Sequence, residues 1–154
     1  MAEETPRVKP PKWLESFDAE VAEGFLATNE KMTGLPEYLG IRFVGFSPGR
    51  LDAEMTVKPE LLTPFGNMHG GVLSAVVDHV LGCVCYPHMK RGQWAATTEF
   101  KINLLAPVSE GTVRAEAEIV SLTRSTAVVR IRLENAGRAV GVAQGTVLIR
   151  DPKG

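Results

Sequence analysis

Apolar residues recur every three to four positions between Trp13 and Met32, at Trp13, Leu14, Phe17, Val21, Phe25 and Leu26. That period predicts an amphipathic helix packed by one face. Gly34, Pro36 and Gly40 punctuate a loop before a first strand over Ile41 to Phe46. After the turn Ser47-Pro48-Gly49, Leu51, Ala53, Met55 and Val57 alternate with Asp52, Glu54 and Thr56, which completes a predicted hairpin. A second helix is predicted from Gly70 to Tyr86, stopped by Pro87, with Val72, Val76, Val80, Val84 and Leu73, Val77, Leu81 stacked at intervals of four. Its other side carries Gly71, Ser74, Asp78, Gly82 and Cys85. Small residues there admit another backbone, so this helix belongs inside a domain rather than on its surface. Strands are predicted over Trp94 to Leu105, Thr112 to Leu122, Ala127 to Glu134 and Ala139 to Arg150, with hairpin chemistry at Ser109-Glu110-Gly111 and Asn135-Ala136-Gly137. One buried helix inserted after the second strand of a long antiparallel sheet is an α+β layout in which the sheet wraps the helix.

The 154 residues suffice for one domain with one core. Residues 1–11, with Pro6, Pro10 and Pro11 among charges, read as a disordered lead. Residues 12–34 read as the N-terminal helix and 35–151 as the main domain. Seventeen basic against eighteen acidic residues leave no strong field, which argues against nucleic acid or a membrane surface recognised by bulk charge. The N-terminus lacks the apolar run of a signal peptide, and no stretch reads as the ~18 apolar residues of a membrane span. Cys83 and Cys85 have no second pair to complete a metal site and read as buried free thiols. A cytoplasmic protein is the expectation.

Asp78 is the only acid between Glu60 and Glu99. An unpaired buried charge is costly, so this carboxylate is either paired or used. The first turn of its helix has unpaired N–H groups, and Gly70 and Gly71 leave access to them. Such a terminus can receive a developing oxyanion; equally, the double glycine can serve only a tight turn. Eight residues separate Gly70 from Asp78, about 12 Å of helical rise. Reacting atoms must lie within roughly 3–3.5 Å of one another, so these two residues of one chain cannot serve one carbonyl. If both are catalytic, they come from different subunits of a two-fold dimer. His69 and Asn67 stand before the helix, where they could orient a substrate or a water, or merely cap it. Thr97 and Thr98 offer hydroxyls on the following strand. His79 and His88 read as structural, and Ser74 lacks the strand-turn-helix elbow of a serine hydrolase.

The run Asn67-Met68-His69-Gly70-Gly71-Val72-Leu73-Ser74-Ala75-Val76-Val77-Asp78, followed by Thr97-Thr98-Glu99-Phe100-Lys101-Ile102-Asn103-Leu104-Leu105-Ala106-Pro107-Val108, resembles the hotdog-fold acyl-CoA thioesterases of the phenylacetate-pathway type, related to 4-hydroxybenzoyl-CoA thioesterases. The similarity spans about Leu35 to Ile149. It implies that the Gly70 N–H polarises the thioester carbonyl while Asp78 of the facing subunit acts as general base or nucleophile. His69 falls where relatives use a histidine on the carbonyl or water, and Thr97 where they place a hydroxyl near the water. Thr63 stands where many members carry a substrate-orienting asparagine, and Asn67 is a candidate replacement. Gly71 joins them as a candidate substrate contact. Lys101, Arg124 and Arg138 are candidate cations for CoA phosphates. The implied reaction is hydrolysis of a small aryl or medium-chain acyl-CoA, with CoA as part of the substrate and no metal or organic cofactor, in a homodimer that can pair into a dimer of dimers. The alternatives are a non-catalytic acyl-CoA-binding module and a dehydratase or hydratase, whose histidine-acid motif is absent from the sequence.

Overall fold

The alternating segments become six strands: β1 (Arg42–Ser47), β2 (Arg50–Thr56), β3 (Trp94–Leu104), β4 (Thr112–Leu122), β5 (Thr126–Asn135) and β6 (Arg138–Arg150). The structure is a computed structural model and describes residues 9–152. The sheet order is β1-β2-β4-β5-β6-β3, with every neighbouring pair antiparallel. The β5–β6 hairpin turns where its chemistry predicts, because Ala136 and Gly137 both take positive φ, as a tight two-residue connection requires. The Ser109-Glu110-Gly111 join, expected to be a hairpin, is not one. β3 pairs with β6 and β4 pairs with β2 and β5, so this connection crosses from one edge of the sheet to its interior. Gly111 serves that crossing: its carbonyl accepts the Val57 N–H at 2.8 Å.

One face of the sheet is apolar. Leu51, Met55, Val113, Ile119, Val129, Ile131, Leu133 and Val147 are buried on it, and the central helix α3 (Gly70–Cys83) lays Leu73, Val76, Val77, Val80 and Leu81 into it. Each fully buried side chain of this size is worth about 1.5–3 kcal/mol over its exposed state. The small positions work as predicted. A methyl group on Gly70 would stand 2.5 Å from Leu104 Cδ1, and one on Gly82 would stand 3.9 Å from Ala95 Cβ. β3 therefore runs antiparallel to α3 along its less apolar side, Leu104 over the start of the helix and Ala95 near its end. Cys83 and Cys85 are buried free thiols, as expected.

Three expectations change. The predicted helix from Trp13 to Met32 breaks into a 3-10 turn (Lys12–Ser16), helix α1 (Ala19–Ala27) and a second 3-10 turn (Thr28–Glu30). The break follows from Asp18, whose carboxylate accepts the Glu20 and Val21 N–H groups and restarts the helix as an N-cap. The expected loop at Gly34–Gly40 contains a short helix α2 (Leu35–Leu39), opened by Pro36 and closed by Gly40 in the left-handed conformation. The central helix stops at Cys83, and Tyr86–His88 forms a 3-10 turn enforced by Pro87. The stretch Gly70–His88 is long and apolar enough to cross a membrane by length and composition only, with mean hydropathy 1.3 over an 18-residue window. Here those residues form the core helix and the turn after it.

His88 fastens the N-terminal segment. Its Nε2 accepts the Gly49 N–H at 2.9 Å, and its Nδ1, which must then carry the proton, faces the Trp13 carbonyl at 3.2 Å and Ser16 Oγ at 3.0 Å. The Trp13 and Phe17 rings flank it at centroid distances of 5.4 and 5.6 Å. Burial pushes the His88 pKa below its usual 6.5, outweighing the bond to the Trp13 carbonyl, which raises it. The unfolded chain then binds the proton more readily than the folded one, so stability is lost as pH falls from the unfolded value through the depressed folded value. The melting temperature is expected to drop between about pH 7 and pH 5, and to drop less in His88→Gln. His79, lowered in the same direction, keeps the variant's drop from vanishing. An identical pH dependence in wild type and variant would refute the role of His88.

Candidate functional site

The residues before α3 are held by backbone bonds: Met68 N–H to the Val108 carbonyl at 2.6 Å and His69 N–H to the Leu61 carbonyl at 3.1 Å. His69 is the N-cap of α3, its Nδ1 accepting the Gly71 N–H at 2.9 Å. Its proton therefore sits on Nε2, and the exposed ring offers a donor to the outside. The Gly71 N–H is committed to this cap. The Gly70 N–H has no acceptor among the described residues, which leaves it free to receive a ligand oxygen. Gly70 is also glycine for packing, since Leu104 lies where its side chain would be. Thr63 and Asn67 close the preceding loop on itself: the Thr63 N–H donates to the Asn67 carbonyl at 2.7 Å, and Thr63 Oγ1 donates to Asn67 Oδ1 at 3.3 Å.

Asp78 is exposed on the side of α3 facing β3. The chain does not bury this charge unpaired; it presents it in a cleft of about 620 Å³ lined by His79, Gly82, Tyr86, Thr97 and Glu99, among others. β3 brings its residues there through an irregularity: Thr97 opposes Val147 and Glu99 opposes Thr146, so Thr98 is an extra residue. The Thr98 hydroxyl donates to the Thr146 carbonyl at 3.1 Å. Neither Gly70 nor His69 lines this cleft. Asp78 and Thr97 thus meet in one place, while Gly70, Gly71, His69, Asn67 and Thr63 gather at the other end of the helix. Lys101 opposes Gln144 on β3, Arg124 lies in the β4–β5 turn, and both are exposed. Arg138, instead of standing free, donates to the Pro107 carbonyl at 2.8 Å.

Sequence reasoning missed Glu99, a second carboxylate in the Asp78 cleft, and the placement of His79 there. The adjacency of Glu99 to Thr97 and Thr98 was a usable signal. For His79 none existed, because its position depends on Phe43, on which it stacks at 5.4 Å with a 9° interplanar angle. Burial lowers the His79 pKa, against the pull of Asp78, so the ring is neutral at pH 7. Cys83 shares the cleft, but burial first and Asp78 second push its thiol up to about 12. A thiol so rarely ionised is no nucleophile. The accessible bases of the cleft are the Asp78 and Glu99 carboxylates, with hydroxyls alongside.

A family model described as the thioesterase superfamily matches residues 65–142. The chain is 25% identical over 118 residues to a 1,4-dihydroxy-2-naphthoyl-CoA hydrolase of Listeria monocytogenes, covering 76% of this chain and 96% of that protein. A mutant thioesterase from Pseudomonas aeruginosa has a similar structure, with a TM-score of 0.76 and 26% identity over 93% of this chain and 96% of that one. The PaaI protein of the Escherichia coli phenylacetic acid degradation operon shares the fold at a TM-score of 0.78 and 22% identity, covering 87% of this chain and 96% of that one.

Proposed function

This chain belongs to the thioesterase superfamily, and from that premise we propose that it hydrolyses a small aryl or medium-chain acyl-CoA to the free acid and CoA at a site shared between two subunits. The observation that carries the reading is the separation of the two halves. The Gly70 N–H lacks an acceptor at one end of α3, and the Asp78 carboxylate stands in a cleft at the other. With about 12 Å of helix between them, a two-fold pairing of chains is the simplest way to bring one of each to a single carbonyl.

In this reading the Gly70 N–H, together with the helix dipole, stabilises the oxyanion as the thioester carbonyl is attacked. The His69 Nε2–H is a second donor for the carbonyl or for water. Asp78 removes the proton of the attacking water, or attacks directly to give an anhydride that water then opens. Thr97 places the water. The CoA thiolate is a good leaving group, so the reading calls on neither metal nor organic cofactor. Thr63, Asn67 and Gly71 shape the carbonyl end, and Lys101 and Arg124 attract phosphates as point charges. The buried thiols of Cys83 and Cys85 suit a reducing, cytoplasmic setting.

Thiol release from phenylacetyl-, benzoyl- and straight-chain acyl-CoAs tests the proposal directly. Turnover of at least one of them is expected. Tight binding of acyl-CoA without any turnover would replace the hydrolase with a binding module.

A further inference from the structure

The Asp78 cleft has a polar end and a less polar end. Asp78, Thr97 and Glu99 mark the first; Gly82, Ala95 and Tyr86 mark the second. On the far side of Tyr86 lies another cavity, of about 440 Å³, between α1 and the loop after the Tyr86–His88 turn, with Val21 and Met89 at its apolar part and Asp18, Glu20, Lys90 and Arg91 at its rim. Tyr86 is the one residue that lines both. Its side chain is held by two contacts, and the segment that carries it by a third. The Ala95 N–H donates to its hydroxyl at 3.3 Å, the Phe25 ring of α1 packs on it at a centroid distance of 5.0 Å, and the Asp18 N–H ties α1 to the carbonyl of Pro87 at 2.7 Å.

We infer that Tyr86, braced by Phe25, is the partition that sets the length of the acyl group. This rests on the reading of the Asp78 cleft as the acyl-CoA site. With the reacting carbonyl at Asp78, the acyl group runs toward Gly82 and meets the Tyr86 ring within about 12 Å, the rise of eight helical residues. That space takes one aromatic ring or a medium chain and excludes a long one. The segment that holds the wall, α1, lies outside residues 65–142 matched by the family model. Tyr86 itself lies within the matched stretch, so the family model spans the wall and leaves out the helix that braces it.

The test measures kcat/KM for acetyl-, hexanoyl-, decanoyl-, palmitoyl- and phenylacetyl-CoA in wild type, Tyr86→Phe, Tyr86→Ala, Phe25→Ala and Gly82→Ala. Tyr86→Ala joins the two cavities and is expected to raise palmitoyl relative to hexanoyl turnover by about tenfold or more, within the range that pocket contacts with methylenes discriminate. Phe25→Ala moves the profile the same way, less far, and Tyr86→Phe leaves it in place. The methyl of Gly82→Ala meets nothing closer than Ala95 Cβ at 3.9 Å; this variant folds and shifts the profile toward short chains, which keeps the wall testable if Tyr86→Ala is unstable. Binding of S-alkyl-CoA thioethers of the same lengths supplies a readout independent of hydrolysis. A binding optimum that moves with Tyr86 in a protein without turnover overturns the hydrolase and upholds the wall. Rates that fall equally for every length in Tyr86→Ala, with an unmoved profile in Gly82→Ala, overturn the wall and leave the hydrolase standing.

Discussion

Asp78→Ala loses acyl-CoA hydrolysis by about 10²–10⁴-fold in kcat, the contribution of a positioned general base, while its melting temperature stays near that of wild type. The second half of that expectation follows from exposure: the carboxylate makes no hydrogen bond or ion pair among the described residues and faces the open cleft. Surface changes of this kind shift stability by about 0.5 kcal/mol or less. Asp78→Asn keeps the shape and removes the base, so it falls with the alanine variant. Steady-state thiol release beside a thermal melt separates chemistry from folding, and a folded Asp78→Ala protein working at the wild-type rate would remove Asp78 from the mechanism.

Gly145→Ala is expected to do the reverse, damaging the fold first and the site through it. A methyl group there would stand 2.5 Å from Leu81 Cδ1, 2.6 Å from the Glu99 carbonyl oxygen and 2.6 Å from Phe100 Cβ. Leu81 could swing aside, but the β3 backbone cannot do so without lifting off β6. Overpacking with so little relief costs about 3 kcal/mol, the upper part of its usual range, and lowers the melting temperature by roughly 6–12 °C in a domain of this size. Because Glu99 and Phe100 line the Asp78 cleft, turnover falls as well. Gly24→Ala is the control: nothing lies within 4 Å of its new methyl, and alanine in a helix gains about 0.8–1 kcal/mol over glycine. Equal melting temperatures for Gly145→Ala and wild type would mean that β3 and β6 yield more readily than their contacts imply.

The strands β2, β4, β5 and β6 were legible because each carries an alternation that half-burial imposes, and β4 agrees with its expected bounds at both ends. Sheet order was not legible. Turn residues at Ser109–Gly111 look alike whether the next strand folds back or crosses over, and the position of α3 against the sheet decides between them. The broken N-terminal helix shows the same limit from another side: the apolar spacing from Trp13 to Leu26 runs through the break, while Asp18 and the Pro87 carbonyl impose it. Of the site residues, Asp78 stood out because a charge in an apolar run has few innocent explanations. The division of Gly70 from Asp78 needed only the helical rise. His79 was invisible and Tyr86 ambiguous, because a histidine inside a helix or a tyrosine just beyond it becomes a stacked ring or a wall only through partners distant in sequence, here Phe43, Phe25 and Ala95.

The position of β3 at the end of the sheet order has a further consequence, for solubility. Its 11 residues leave one row of backbone donors and acceptors outside the sheet, against the six residues of β1 at the other edge. Long uncovered edges recruit further strands and lead chains into open-ended association. An uncovered β3 therefore favours polymerisation, and burying this edge in the proposed two-fold dimer is expected to show as lower turbidity in concentrated or freshly expressed samples.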